Sequence, residues 1–352
     1  MQKLNYESKI ENFKMLGLAP YRKEKRLRSI LGNRINSLVF QDIFFSILEL
    51  SPKIYTEYLY SWGKYLGSES AKNSMDELNI GLYTGITSKL LALRLLKDEK
   101  YTKDIIKKNW EFYRLGTPSF TYVDEVAKTF KVKVDKSIEA VGLPRINKRV
   151  CFFSSAFLAG NVQQIVGGSI NVFENKCIAS GWKYCEFAGA SNLPFHRFDV
   201  LNKSDFKKIK ANILQRMLDS KEDEAIHLAI PQLFYLSLSL TSEGSHSMFY
   251  WIGRQTGKRF SAKLKGSKAV KMKRLSGLLK EMKIGLVSSN GNSITVKESA
   301  FSSGTGNLEK RVCSYLAGIF AGFLQGKSKK VVNVIETKCQ ANGDRHCEFK
   351  II

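Results

Sequence analysis

The sequence predicts an α+β protein of two homologous domains, each an antiparallel sheet flanked by helices. Three observations predict it. The six cysteines form two triplets, Cys151, Cys177 and Cys185, then Cys313, Cys339 and Cys347, with identical internal gaps of 26 and 8 residues. Laying 132–187 over 294–349, a shift of 162, matches 20 of 56 positions without a gap. Helical and strand-like apolar patterns also follow one another in the same order in both halves. Self-similarity at a fixed shift is the signature of a duplicated unit.

Each element can be read in turn. Residues 37–48 (SLVFQDIFFSIL) and 233–240 (LFYLSLSL) are short apolar runs and read as buried strands. Residues 54–67 and 247–260 read as helices with small residues on one face. Trp62-Gly63 with Gly67 resembles Trp251, Gly253 and Gly257, but the glycines stand at an offset of 190 rather than 162. The first copy therefore carries about 28 extra residues, which the reading places within 92–130. That stretch holds Trp110, Phe112, Tyr113, Phe120 and Tyr122, and is either a pocket wall or added core. Residues 132–134 and 294–296 alternate as short strands. Residues 148–163 and 310–325 read as apolar helices, 170–176 and 331–338 as strands. The last strands start near 184 and 346. The expected borders are a basic N-terminal extension over 1–36, a first domain over 37–190, a polar, partly helical linker over 191–225, and a second domain over 226–352.

The cysteine pattern carries chemistry. Lys148-Arg149-Val150-Cys151 recurs as Lys310-Arg311-Val312-Cys313, and Cys185-Glu186-Phe187 as Cys347-Glu348-Phe349. Between them, Glu174 with Cys177 recurs as Glu336 with Cys339. Three thiolates and one carboxylate make a four-ligand set for Zn²⁺. A hairpin brings Cys177 and Cys185 together, and a helix start delivers Cys151. Glu186 and Glu348 directly follow a cysteine in a strand, so they point to the opposite face. The repeated Lys148-Arg149 and Lys176, with Lys310-Arg311 and Lys338, would offset the thiolate charge. Buried thiols are one alternative, but they do not explain why three cysteines and a glutamate repeat together; a Cys177–Cys185 disulfide or redox chemistry is the other, which a reducing compartment disfavours. Two zinc ions per chain are expected, in closed sites that are structural rather than catalytic.

The run E-x-K-C-x-A-x-G-x-x-x-C-E-F, after an apolar helix with a leading cysteine, resembles the 4-vinyl-reductase-type domain. That domain also occurs in the sensory regions of phenol- and xylene-responsive activators, and shares its fold with vesicle-tethering TRAPP subunits. The resemblance implies zinc held by Cys151, Glu174, Cys177 and Cys185, and in the second copy by Cys313, Glu336, Cys339 and Cys347. It also implies a small-molecule-binding module with an apolar pocket between sheet and helices.

Composition bounds the rest. The 352 residues hold 56 Lys+Arg against 32 Asp+Glu, a net charge of +24. No apolar run reaches the roughly 18 residues that a membrane span needs, and the N-terminus lacks a signal-peptide pattern, so a cytoplasmic location is expected. Four histidines stand at no metal or triad spacing, and no dinucleotide fingerprint is present. The expected function is a non-enzymatic sensor or regulatory protein for a small apolar or aromatic ligand, with Trp62, Trp110, Tyr113 and Tyr122 lining its pocket. The two domains would pack as an intramolecular pseudo-dimer, with homodimerisation open as well. The alternative is an interaction or adaptor protein that binds nucleic acid or a protein through a basic surface of Lys263, Lys265, Lys268, Lys271, Lys273 and Arg274. A third reading is an accessory factor in tetrapyrrole vinyl reduction.

Overall fold

The computed structural model describes residues 27–77, 99–124, 129–166, 168–191, 198–219, 225–241, 244–326, 328 and 330–352. The chain divides into two compact units, residues 44–212 and residues 213–352 together with those up to 43. Each is α+β. Among the described residues no helix is long and apolar enough to cross a membrane.

In the 44–212 unit, helix α2 (Pro52–Glu77) lies against α4 (Phe152–Val166), with α3 (Glu99–Tyr113) beside them. The antiparallel sheet contains β2 (Thr117–Asp124), β3 (Thr129–Asp135), β4 (Ile170–Lys176) and β5 (Cys185–Ser191), in the order β2-β3-β5-β4. The other unit repeats this plan. Helix α7 (Ser245–Lys263) packs on α9 (Ser314–Gln325), followed in chain order from α7 by α8 (Lys268–Glu281). Its sheet runs β7 (Leu286–Asn290), β8 (Ser293–Lys297), β10 (Cys347–Ile351), β9 (Val334–Lys338). A short ribbon pairs β1 (Arg34–Asn36) with β6 (Ala225–His227).

Two expected strands are helices: α1 (Ser37–Leu50) and α6 (Ala229–Thr241). Residues 37–48 are all buried, the polar Gln41, Asp42 and Ser46 among them, so α1 has no exposed face to mark a 3.6-residue stripe. Its length was the better guide, because buried strands rarely reach 14 residues. Asn36 marks its start, with Oδ1 accepting from the Leu38 amide at 2.9 Å. In α6 the Leu-Ser alternation imitates a strand, while Pro231 sits in the first turn, where a helix tolerates it.

The extension and the linker are also structured in part. Residues 1–26 lie outside the described residues. From residue 27 the segment is folded: buried Arg28 donates to the carbonyls of Gly32, Lys283 and Arg34. Glu298 accepts from the Ile30 and Leu31 amides and the Ser29 hydroxyl. Within the expected linker, α5 (Lys203–Leu218) opens with a reciprocal cap. The Asn202 amide donates to Asp205 and the Asp205 amide to Asn202, both at 3.0 Å.

The helix pairs α2–α4 and α7–α9 are held by glycine contact. A Cβ on Gly67 would stand 2.1 Å from the Phe157 carbonyl oxygen, and one on Gly257 2.0 Å from that of Ile319. The two backbones touch, so no side chain fits between them. This fixes α4 and α9, whose N-termini carry the first cysteine of each triplet. The repeat also extends upstream. Tyr60 OH accepts from the Val172 amide at 3.3 Å, and Tyr250 OH from that of Val334 at 3.2 Å. Equivalent backbone bonds place Leu115 opposite Ile284 in the repeat. From Gly67 to Leu115 is 48 positions, and from Gly257 to Ile284 only 27. Most of the insertion thus falls before Leu115, where 78–98 lie outside the described residues; the remainder lengthens the β2–β3 hairpin.

Gly257→Ala is expected to destabilise the protein by about 2–3 kcal/mol through overpacking. Gly277, in α8, has nothing within 4 Å of its would-be Cβ. Gly277→Ala should instead stabilise by about 0.5–1 kcal/mol. Urea unfolding of the two variants checks the contrast.

Candidate metal centre

Each cluster is assembled by four local devices. Strand β4 ends at Lys176, and Cys177 follows in extended geometry. A 3-10 turn, Ile178–Ser180, is closed by Gly181 at φ 99°, a left-handed conformation that suits glycine. Cys185 then opens β5. The fourth device is a bulge. Glu174 pairs with Phe187 but Lys176 pairs with Glu186, so two steps on β4 meet one on β5. In a regular strand residues three apart face opposite sides. The bulge restores Glu174 and Cys177 to one side. The same shift separates Glu336 from Lys338 against β10, and Gly343 at φ 88° closes the equivalent turn.

The result is two buried groups, Cys151, Glu174, Cys177, Cys185 and Cys313, Glu336, Cys339, Cys347, with Glu336 half-buried. In each, three sulfurs and a carboxylate oxygen lie within 4.8 Å of one another. Cys151 Sγ stands 3.9 Å from Cys177 Sγ and 3.5 Å from Cys185 Sγ; the second copy repeats this at 3.9 and 3.6 Å. All six thiols are free. Four ligands at about 2.3 Å around a tetrahedral ion stand roughly 3.8 Å apart, so the spacing fits zinc. One oxygen of each glutamate is tied down: Glu174 Oε2 accepts from the Cys151 amide at 3.0 Å, Glu336 Oε2 from the Cys313 amide at 2.8 Å. The other oxygen, Oε1, is buried without a hydrogen-bond partner in both. A buried, unsatisfied carboxylate oxygen beside three sulfurs is what a cation would correct.

The electrostatics agree. Burial pushes the Cys151 and Cys313 thiols well above their ordinary range and Cys177 up to about 12. Burial, followed by the neighbouring thiol, also raises Glu174 well above the carboxylate range and Glu336 to about 9. Hydrogen bonds from the other two thiols pull Cys185 down to about 7. Four acidic groups cannot ionise together there without a compensating charge.

Sequence reasoning missed the supporting groups. Ser137 Oγ stands 3.4 Å from Cys151 Sγ, and Ser299 Oγ 3.4 Å from Cys313 Sγ. Both serines match in the 162-residue overlay, so the signal was present. Buried Glu139 caps α4, accepting from the Phe153 and Ser154 amides at 2.8 Å. The lysine expectation needs correction. Lys176 pairs with Glu186 at 3.1 Å and Lys338 with Glu348 at 3.0 Å, on the outer face, because the bulge turns them away. The arginines do lie beside the clusters: Arg149 donates to the Glu174 carbonyl at 3.1 Å, Arg311 to that of Glu336 at 3.2 Å.

Neither of two concavities lined by described residues includes the expected pocket aromatics. Trp62 stacks on Phe153 at 4.8 Å, and Trp110 packs edge-on against Phe157 at 6.0 Å. Tyr113 also meets Phe157, at 5.7 Å, so these three are core. Tyr122, on β2, is 49% exposed. The two concavities lie elsewhere. One, of about 560 Å³, is lined by Leu48, Pro52, Thr56, Phe152, Phe198 and Phe206 among others. The other, of about 500 Å³, adjoins the second cluster and is lined by Tyr250, Ser314, Ile335 and Glu336 among others. Of the expected basic surface, Lys263, Lys265, Lys273 and Arg274 are exposed. Lys271 is half-buried and donates to the Ser261 carbonyl, and Arg274 to that of Lys265. The side chain of Lys268 lies outside the described residues.

Fold and site together define a duplicated α+β module with a buried Cys₃Glu cluster in each copy. The vinyl-4-reductase (V-4-R) domain matches residues 130–190 and 292–352, so the chain contains two domains of this family. Two uncharacterized proteins of Methanocaldococcus jannaschii are similar. One is 27% identical over 44% of this chain and 91% of its own length, the other 29% over 30% and 62%. Among solved structures, a vinyl-4-reductase family protein of the same organism is 24% identical, with a TM-score of 0.33 over 41% of this chain and 94% of its own. The phenol-responsive sensory domain of the transcription activator PoxR, with phenol, is 14% identical, with a TM-score of 0.33 over 45% and 75%. A trafficking protein particle complex subunit 3 from Naegleria fowleri, covalently bound to palmitic acid, is 14% identical, with a TM-score of 0.34 over 46% and 98%.

Removing the serine that supports the first thiol should loosen its site. Ser137→Ala and Ser299→Ala are each expected to weaken metal affinity about 10-fold at their own cluster, as read by competition with a chromophoric chelator. Because the raised thiols and carboxylates must lose protons to bind a cation, affinity should rise with pH and fall on acidification. The same titration at several pH values checks this.

Proposed function

We propose that this protein is a zinc-containing small-molecule-binding protein of sensory or regulatory type, with an apolar or aromatic ligand. The observation that carries the reading is the cavity of about 560 Å³ in the 44–212 unit. Its size is that of a small-ligand site, and its walls are mainly apolar. Phe152, one of those walls, directly follows the cluster residue Cys151. Lys53 and Glu57 supply polar groups at its lining, so an apolar body with a polar substituent fits best. Bound zinc would supply rigidity rather than chemistry, since four protein ligands leave no open position. Cys177 and Cys185 would clamp the sheet end to Cys151, and thereby hold the first turn of α4 against the cavity.

A second reading has one observation in its favour. The exposed Lys263, Lys265, Lys273 and Arg274 suit a polyanion, so this stretch supports nucleic-acid binding. Retention that falls steeply with salt, and collapses when Lys273 and Arg274 are neutralised, would favour it.

Native mass spectrometry of the gently purified chain tests the main reading. Two zinc ions per chain are expected, and one in Cys177→Ser. Thr56→Trp, which fills the cavity, should abolish thermal stabilisation by monocyclic aromatics such as phenol or benzoate while keeping both zinc ions. A chain without zinc, or one that Thr56→Trp leaves equally responsive, overturns the reading.

A further inference from the structure

The two copies treat the cleft beside their clusters differently, and the first shows what the second is shaped to hold. In the first copy the chain beyond β5 lays two side chains into the cleft. The Phe198 ring stands 5.4 Å from the Tyr60 ring and 5.0 Å from that of Phe152. Asp199 takes the neighbouring arginine as a fork. Its Oδ2 accepts from the Arg149 amide at 2.8 Å and from Nε at 3.1 Å, and its Oδ1 accepts from the second terminal nitrogen at 2.9 Å. The remaining Arg149 nitrogen donates to the Glu174 carbonyl. A bidentate pair of this kind suits an anion with two coplanar oxygens, such as a carboxylate.

The second copy has the same receptors. Tyr250 repeats Tyr60, including the bond from the amide of the facing strand. Arg311 repeats Arg149, with the same nitrogen donating to the Glu336 carbonyl. Among the described residues, nothing meets the Arg311 amide, its Nε or its second terminal nitrogen, and no ring packs on Tyr250. The cleft is a groove of about 500 Å³, with Ser314 where the first copy has Phe152. Its rim is apolar and open: Ile335 is 47% exposed and Ile352 69%. Arg311 stands next to the groove rather than in its lining, donating to the carbonyl of the lining residue Glu336 at 3.2 Å.

We propose that this groove docks a peptide segment presented in trans, carrying an aromatic residue followed directly by an acidic one. The ring would seat on Tyr250 beside His246 and Ser314, whose Nδ1 and Oγ stand 2.9 Å apart, and the carboxylate would take the Arg311 fork and amide. A peptide fits better than a lone aromatic acid, because the apolar rim at Ile335 and Ile352 reaches past one ring and the occupant of the first cleft is itself a stretch of chain. The proposal concerns the other unit from the ligand cavity and does not depend on that reading.

The test uses the full chain and a fluorescein-labelled peptide of residues 195–203, read by anisotropy. Saturable binding of one peptide per chain is expected. Phe198→Ala or Asp199→Asn in the peptide, and Arg311→Ala in the protein, should each weaken it about tenfold or more. Ile335→Glu, at an exposed position, should weaken it as well by repelling the acidic residue. Metal content is measured on each variant; if Arg311→Ala loses its metal, Ile335→Glu decides. No saturable binding, or binding that survives Ile335→Glu unchanged, overturns the proposal. So does phenylacetate binding as tightly as the peptide, which would assign the groove to small aromatic acids instead.

Discussion

Three thiols and a carboxylate buried at one point are the constraint that the rest of each copy answers to. Such a set cannot be charged in a low-dielectric interior without a cation, and cannot be assembled without distorting a strand. The bulge before Cys177 and Cys339 is that distortion. It turns Glu174 and Glu336 inward and sends Lys176 and Lys338 outward to Glu186 and Glu348. The remaining thiol arrives from the start of α4 or α9, whose position is set in turn by glycine-mediated contact with α2 or α7. The cluster therefore joins the sheet end to a helix that the opposite helix already holds.

Much of the cluster was legible in the sequence, because spacing survives duplication. The gaps of 26 and 8 residues required no structure to read, and the repeated glutamate followed from the same overlay. What was not legible depends on orientation. The overlay showed that Lys176 and Lys338 repeat, but only the bulge reveals which way they point. Helices α1 and α6 were misread because complete burial erases the amphipathic period on which the reading relies. The aromatic insertion was ambiguous from the outset: Trp110 and Tyr113 are the right residue types for a pocket wall, and equally for packing α3 on Phe157. The described end of the expected N-terminal extension is anchored on Glu298, and the expected linker forms a capped helix with a buried apolar face.

Duplication also separates what the module needs from what each copy has added. Both copies keep the four ligand groups, the serine beside the first cysteine, the arginine on the glutamate carbonyl and the tyrosine that holds the edge strand. Those features serve the cluster and its immediate frame. The differences lie outside that frame. The first copy has a longer β2–β3 hairpin, Glu139 capping α4, and Phe198 with Asp199 closing its cleft. The second has Phe301 at the position of Glu139, a serine at that of Phe152, and an open groove.

This division bears on how the chain can work. A buried four-ligand site has no reactive position, so neither copy's cluster is suited to chemistry on a substrate. In the proposed function, recognition falls to surfaces outside the cluster, and these are the places where the copies diverge. In the first copy, chain from beyond the sheet walls off a mainly apolar space of small-molecule size. In the second, Tyr250 and Arg311 keep their bonds to the facing strand, while the Arg311 amide, Nε and second terminal nitrogen meet no partner among the described residues. One scaffold, built in the same way twice, thus has a partly covered, mainly apolar concavity in one unit and an open groove in the other.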